Sequence, residues 1–422
     1  MRPKLNFQGG LPRDVHYQPA YNLPKETWYG SRFDSIKVSN NNCMLVESDT
    51  FNIVSSANCN RLYYGTIDGD IVLMPLAPNL APGKTVLKPV PILDMNGDLI
   101  SEKYEVHGLK IDYAGRVWAV NAAGIFCFDP TLQQCLFFMA DNRPPLERDN
   151  DYYESNIRLQ TDYNKRYMYW MLAGHMIRVI DAHNCQVVGQ DFQFNRPTRF
   201  EVQQWTVSDD GQFLFVLFTD IESTKDFFEV YNLVTRQHQP NYRISLDSRE
   251  FSGNTRYHSF AVDFTHGKLV ILGISPDMSD EIAEDDLNAD EVFYEDEADP
   301  RDRELIVRTY QLTSDGLVKL GVQVINQLDR RFYPLIVNAA AFSSLEADNG
   351  TGACTLAFSI LGGLKKQSNY LFMVRWHDGT KKWQKHLTIV DHHFDQQLAW
   401  HINRNVIIST AADASLSINI FE

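Results

Sequence analysis

The feature that most constrains this chain is a unit that returns along its length. An apolar strand ends, a tight turn built on Asp, Asn or Gly follows, and a second apolar strand runs into a polar turn. The clearest copy is Arg61 to Leu76, RLYYGTIDGDIVLMPL. Leu62-Tyr63-Tyr64 reads as one strand and Ile71 to Met74 as its return. Asp68-Gly69 between them supplies the positive φ that short hairpin turns require. The last copy, Val406 to Phe421, has the same rhythm, with a turn at Asp413 and alternating Leu416, Ile418 and Ile420. Weaker copies turn at Ala114-Gly115, Ala123-Gly124, Asn164-Lys165, Ala173-Gly174, Asp210-Gly211 and His266-Gly267. Amphipathic helical runs of any length are hard to find.

These copies amount to about seven units of four short strands each, and no unit can bury both faces alone. Repeats of that size and content predict an all-β chain folded as one β-propeller, most simply with seven four-stranded blades. The units resemble WD-type propeller repeats over most of residues 34–422. The resemblance lies in the rhythm more than the signature: the closing Trp-Asp pair stands here as Met74-Pro75, Tyr231-Asn232 and Phe421-Glu422. It implies a rigid frame that presents loops to protein partners. A propeller removes its free edges when one terminus completes the blade begun by the other. The chain ends just after an apolar strand, and residues 33–46, FDSIKVSNNNCMLV, or the segment before them, are the expected closing partner. Residues 1–32, rich in Pro, Tyr and Gly, are expected to pack on the propeller body, residues 33–422, as an extended segment.

Charge is unevenly spread. Asp277 to Glu304, DMSDEIAEDDLNADEVFYEDEADPRDRE, holds 14 acidic and two basic residues and so carries −12 of the −15 formal charge. The rest of the chain, with 40 acidic and 37 basic residues, is close to neutral. The window falls between KLVILGIS and ELIVRTYQL, two strands expected in one blade, which makes residues 277–304 an insertion within that blade. Phe293 and Tyr294 interrupt the charges, and a plain solvating loop has little use for them. Acidic residues mixed with aromatics suit docking on a basic, partly apolar partner. The expected contact residues are Asp285, Asp286, Asp290, Glu291, Phe293, Tyr294, Glu295 and Asp296. Self-docking of the loop on its own propeller is the competing use. Asp286, Asn288, Asp290 and Glu297 also fall at calcium-loop spacing, but Glu291 stands where such a loop needs glycine for its sharp turn.

Several function classes are disfavoured. Nucleic-acid binding needs many Lys and Arg contacts to phosphate, and a chain of pI near 5.2 with no basic stripe does not offer them. No apolar run is long enough to span a membrane. The N-terminus, MRPKLNFQGGLPRD, has no apolar leader, although NFQGG resembles an expression-tag remnant that would hide one. Six cysteines without a CxxC pair argue against a disulfide scaffold and toward an intracellular protein. Cys127 and Cys135 are placed to face each other across a hairpin, with buried thiols as the simpler expectation. No nucleophile elbow, P-loop or dinucleotide fingerprint occurs.

GLKIDYAGRVWAVNAAGIFCFDP carries Asp112, Gly115, Arg116 and Trp118 in an Asp-x-x-Gly-Arg-x-Trp turn. It resembles turns of calcium-dependent lactonase-like propellers and of yellow/royal-jelly-type propellers. The first resemblance implies a metal-dependent hydrolase, with Glu105, Asn121, Asp209 and Asp220 as contributors; the second implies a secreted ligand carrier. The simpler reading is structural: Asp caps the turn, Gly takes positive φ and Trp fills space between blades. Asp391, His392, His393 and Asp395 form a polar turn, since adjacent strand histidines point to opposite faces and do not share a metal. The expected function is a non-catalytic interaction scaffold, a subunit of a larger complex, with no cofactor, no metal and no catalytic residue.

Overall fold

The computed structural model describes residues 35–37, 50–55, 61–142, 159–194, 200–220, 225–246, 256–274, 303–328, 336–343, 354–361, 369–391, 398–401, 406–410 and 416–420, apart from single positions and short turns within them. Among these residues every sheet is antiparallel and no α-helix occurs; one 3-10 turn spans Pro240–Tyr242. Residues 9–244 with 397–422 form one compact unit and residues 245–396 gather in a second.

In the first unit, β1 (Ser35–Lys37) stands alone in sequence. Strands β2 (Thr50–Ser55), β3 (Arg61–Thr66), β4 (Asp70–Pro75) and β5 (Gly83–Val86) pair in order as one sheet, and β6 (Val90–Leu93) with β7 (Leu99–Lys103) forms a separate hairpin. The next sheet is β8 (Gly108–Ile111), β9 (Val117–Asn121), β10 (Gly124–Phe128) and β11 (Cys135–Ala140). It is followed by β12 (Leu159–Thr161), β13 (Tyr167–Leu172), β14 (Met176–Asp181) and β15 (Gln186–Val187), with β16 (Phe192–Gln193) also on β14. Strands β17 (Phe200–Val207), β18 (Phe213–Asp220), β19 (Lys225–Asn232) and β20 (Gln237–His238) make another, with β21 (Ile244–Ser245) also on β19.

The second unit holds two four-stranded sheets. One is β22 (Arg256–Asp263), β23 (Lys268–Ile274), β24 (Arg303–Thr313) and β25 (Gly316–Leu328); the other is β26 (Ile336–Ser343), β27 (Cys354–Leu361), β28 (Asn369–His377) and β29 (Lys382–Asp391). Strands β23 and β24 pair directly, Ile274 opposite Leu305. Gln323 ties the two sheets of this unit twice, donating to the Trp383 carbonyl and accepting its amide, each at 2.8 Å. Back in the first unit, β30 (Leu398–His401), β31 (Val406–Thr410) and β32 (Leu416–Ile420) form a sheet with β1, in which Ser35, Ile36 and Lys37 lie opposite Asn419, Ile418 and Ser417.

The turns fall where Gly, Asp and Asn predict them. Gly69, Gly115, Gly124, Gly174, Gly211 and Gly267 all have positive φ, and Lys165 does too at 55°. Gly124 is the most demanding: a Cβ there would sit 2.1 Å from the Met139 carbonyl, so only glycine fits. At the turn from first to second strand, Asp112, Asp162, Ser208 and Asp263 occupy the same place, each followed three or four residues on by a positive-φ residue. Their side chains accept amide protons from their own turns: Ala114 and Arg116 on Asp112, Arg166 and Tyr167 on Asp162, Phe213 on Ser208, His266 on Asp263. Burial lifts the Asp162 carboxyl above its ordinary range, partly offset by the Tyr167 and Arg166 amides.

A second series at the turn from third to fourth strand is not anticipated from the Trp-Asp search. Asp129, Asp181 and Asn232 each cap a turn with Gln five residues on, at 134, 186 and 237. Tyr231-Asn232 and Met74-Pro75 do end third strands, as the Trp-Asp reading expects; Phe128-Asp129 and Ile180-Asp181 hold the same position and are its missed copies. Phe421-Glu422 and the N-terminal residues 1–32 lie outside the described residues.

Apolar side chains fill the space between neighbouring sheets of the first unit. Tyr63, Leu73, Trp118, Ile125, Cys127 and Trp170 belong to one buried cluster, and Tyr169, Phe194, Trp205, Phe218 and Tyr231 to the next. Glycine lets the sheets approach: a Cβ on Gly108 would meet the Leu159 Cβ at 2.6 Å, so β8 and β12 touch there.

Candidate functional site

The residues of the Asp-x-x-Gly-Arg-x-Trp turn come together as one saturated carboxylate. Asp112 is buried, and its Oδ1 accepts the Ala114 and Arg116 amides at 2.9 Å each. Its Oδ2 accepts Arg116 Nε at 2.6 Å and Trp118 Nε1 at 2.9 Å. Arg116 Nη2 also donates to the Ala182 carbonyl of the neighbouring sheet. Four donors leave the carboxylate no vacant direction for a substrate or ion. Trp118 lies in the inter-sheet core. The turn thus does what the structural reading expects.

The other residues considered for a hydrolase lie as follows. Asn121 Oδ1 accepts the Ala123 amide at 2.8 Å, and its Nδ2 donates to the Lys88 carbonyl at 2.9 Å. Glu105 stands 3.4 Å from His107 Nε2. Asp209 sits in the β17–β18 turn while Asp220 closes the far end of β18, about 25 Å of extended strand away. Those two do not share one ion. Among the described residues no group of three or more His, Cys, Asp or Glu is placed to hold a metal. Asp391 ends β29, and His392, His393 and Asp395 lie outside the described residues.

The acidic contact residues Asp285, Asp286, Asp290, Glu291, Phe293, Tyr294, Glu295 and Asp296 also lie outside the described residues. So does the calcium-loop spacing within them. Cys127 and Cys135 are not opposite each other: Cys127 faces Phe137 in register and Cys135 faces Phe128. Cys127 is buried, Cys135 exposed, and both are free, as is Cys185. Burial pushes the Cys127 thiol well above its ordinary range, which leaves it protonated and unreactive.

The surface that does gather chemistry lies at the first-to-second turns of the β8–β11 and β12–β15 sheets. Tyr113 is half exposed, and its hydroxyl lies 2.7 Å from His183 Nδ1. The Arg116 guanidinium sits 5.9 Å from the Tyr113 ring centre. Arg166 bridges to Asp181 at 3.1 Å and lies over the Tyr167 ring at 5.2 Å. The Tyr113 amide donates to the Lys165 carbonyl at 3.1 Å, and the Tyr163 amide to the Asp209 carbonyl at 3.1 Å, so consecutive turns are stitched through their backbones. Lys110, on β8, completes the set. It is partly buried, and burial together with the nearby Lys165 charge lowers its ammonium to about 8. Neither lysine is singled out by a motif. The signal that could have found Lys110 is a charged residue inside an otherwise apolar first strand, Gly108-Leu109-Lys110-Ile111.

No protein-family model matches this chain, and no curated protein does. Solved structures do match. A chain of the mitotic checkpoint complex aligns with TM-score 0.53 at 10% identity, over 93% of this chain and 94% of that one. The WD40 repeats of RRP9 align with TM-score 0.51 at 8% identity, over 89% and 95%. A chain of hydrazine synthase from Kuenenia stuttgartiensis aligns with TM-score 0.52 at 9% identity, over 87% and 94%. A complex component and an enzyme stand side by side here, so the shared property is the architecture. No helix among the described residues is long and apolar enough to cross a membrane. The repeated four-stranded sheets, their turn chemistry and these alignments together show a β-propeller fold.

Proposed function

We propose that this propeller is a non-catalytic interaction scaffold, the rigid subunit of a larger protein complex. The observation that carries the reading is how its carboxylates and amides at the repeated turns are used. Asp112, Asp129, Asp162, Asp181 and Asn232 all accept from their own turns, so the turns are held stiff while side chains such as Tyr113 and Val234 stay exposed. A rigid frame with exposed loops lowers the ordering cost of binding a partner. The presence of a chain of the mitotic checkpoint complex among the structural neighbours points the same way. In this reading the propeller has seven blades, and pairing of β1 with β32 closes the ring. The three described free thiols fit an intracellular setting.

The acidic segment 277–304 is the proposed contact for a basic partner peptide, an insertion in the blade of β23 and β24, with Phe293 and Tyr294 as its apolar anchors. Affinity purification of the full chain at low and high salt, followed by mass spectrometry, tests both claims. Stable co-purifying proteins are expected, and those lost on deleting residues 279–302 or on adding salt identify the acidic contact. A chain that captures no partner at low salt would overturn the scaffold reading. Partners that all survive the deletion would remove the acidic segment from it.

A further inference from the structure

The outer edge of one sheet is left open in a way the others are not. Among the described residues β11 pairs with β10 alone, so its far side faces no strand. Its six residues, Cys135-Leu136-Phe137-Phe138-Met139-Ala140, carry no charge. Proteins blunt such edges by shortening them or by placing lysine on them, because an open apolar edge invites another strand. Strands in the same place in the other sheets follow that rule. β15 and β20 are two residues long, and β1, β5, β25 and β29 carry lysines. β11 does neither.

The ladder shows which backbone groups the edge offers. The Asp141 amide donates to the Ala123 carbonyl at 2.9 Å, and Met139 and Phe137 lie opposite Ile125 and Cys127. Bonding directions alternate along an antiparallel strand, so the amides and carbonyls of Phe137, Met139 and Asp141 turn toward β10. Those of Leu136, Phe138 and Ala140 turn outward, each residue offering a donor and an acceptor. Leu136 and Phe138 share a face of the strand and are 48% and 39% exposed. Phe138 packs on Phe126 with ring centres 4.6 Å apart, which fixes this apolar seat.

Charge around the seat narrows the occupant. The Lys88 ammonium lies 5.7 Å from the Phe138 ring centre, and Asn121 Nδ2 holds the Lys88 carbonyl at 2.9 Å. Lys88 is exposed, and among the described residues no carboxylate pairs with it. On the other face Arg178 reaches Met139 Sδ at 3.9 Å but is spent on Asp191, at 2.7 and 2.9 Å. The edge thus offers one open cation, on the Leu136 and Phe138 face. A second copy of the chain would bring a second Lys88 to that face, setting like charges together. A strand with a carboxylate there satisfies the ammonium and the ladder at once.

We propose that β11 is a strand-addition site. An extended segment of a partner protein pairs along Leu136 to Ala140, lays β-branched side chains on Leu136 and Phe138, and sets a glutamate or aspartate against Lys88. The proposal rests on the scaffold reading, since it supplies one of the scaffold's contacts. It is separate from segment 277–304, which would recruit a partner of opposite charge.

The test is fluorescence anisotropy of a labelled peptide, Val-Thr-Glu-Thr-Val-Thr, on the full chain, with a second peptide carrying lysine for the glutamate. The glutamate peptide is expected to bind about tenfold more tightly than the lysine peptide, and Lys88→Glu to reverse that preference. Leu136→Pro removes an outward amide and spares the β10 ladder, so it should weaken binding about tenfold or more. Leu136→Glu should do the same by repelling the peptide carboxylate, and it serves if the proline variant fails to fold. Hydrogen exchange at the Leu136, Phe138 and Ala140 amides should slow when the peptide binds. Equal binding by wild type and Leu136→Glu, or an unchanged preference in Lys88→Glu, overturns the site. A dimer in sedimentation that Leu136→Glu dissociates would make a second copy the occupant. Edge amides already slow in the free monomer would show that the chain covers its own edge, and would equally overturn the partner. Each failure leaves partner capture by the full chain at low salt untouched, so it is distinguishable from failure of the scaffold reading.

Discussion

Arg116 and Lys110 stand six residues apart in sequence, on either side of one turn, and their charges have opposite fates. Arg116 sits in a fork between the Asp112 carboxylate and the Ala182 carbonyl, and it also faces the Tyr113 ring. Lys110, among the described residues, lies in the field of another cation, Lys165. The first charge is consumed by the fold, linking one sheet to the next. The second is carried at a cost to stability.

The strongest way to break this contrast is Asp112→Ala. It leaves Arg116 and the buried Trp118 Nε1 without their acceptor, and should destabilise by about 3–5 kcal/mol in chemical denaturation. Loss under 1 kcal/mol, below any expected for a buried pair, would show that the turn is not the lock described here.

Lys110→Met acts in the other direction. Its ammonium is held at about 8 in the folded chain, below the ordinary lysine value of 10.5. The unfolded chain therefore binds more protons between those two values, and wild-type stability rises with pH across that window. Below it the full penalty is present; above it the penalty has gone. Lys110→Met should add on the order of 2 kcal/mol at pH 7, allowing for solvent screening, and the gain should fade toward pH 10.5. A pH-independent difference between the two proteins would refute the charge argument.

Arg116→Lys is a milder probe of the same turn. Lysine keeps the charge but cannot span both acceptors, so a loss of about 1–2 kcal/mol is expected by thermal melting. Full stability in this variant would mean the fork is dispensable. The smallest effect is at Lys165, whose φ of 55° is the region glycine occupies in the equivalent turns. Lys165→Gly should stabilise by about 1 kcal/mol, and Lys165→Asn, which removes the charge while tolerating the backbone, separates strain from repulsion. No gain in either variant would leave Lys165 neither strained nor repelled.

Much of this was legible beforehand. The hairpin at Asp68-Gly69 and the turns at 114–115, 123–124, 173–174, 210–211 and 266–267 were readable because positive φ is a local demand that Gly answers locally, and Asn164 marked the turn in which Lys165 takes that φ. The Asp112 turn was readable for the same reason: donors and acceptor lie within seven residues. Two of the third-to-fourth turns, at Asp129 and Asp181, escaped notice, since with Asn232 they share only an acidic or amide residue and a Gln five positions later. The alignment of Lys110 with Lys165 was not readable at all.

By itself, then, the sequence determined the all-β class, the places of its turns and the concentration of negative charge between 277 and 304. These follow from steric and compositional rules that act over a few residues. Only the tertiary structure decided which side chains are spent and which remain. It set β8 against β12 through Gly108, satisfied Arg116 with a carbonyl 66 residues away, and brought Lys110 within the field of Lys165, 55 residues along the chain. The physical reason is that charge pairing depends on distance in space, and sheet packing brings together residues whose separation in sequence carries no trace of it.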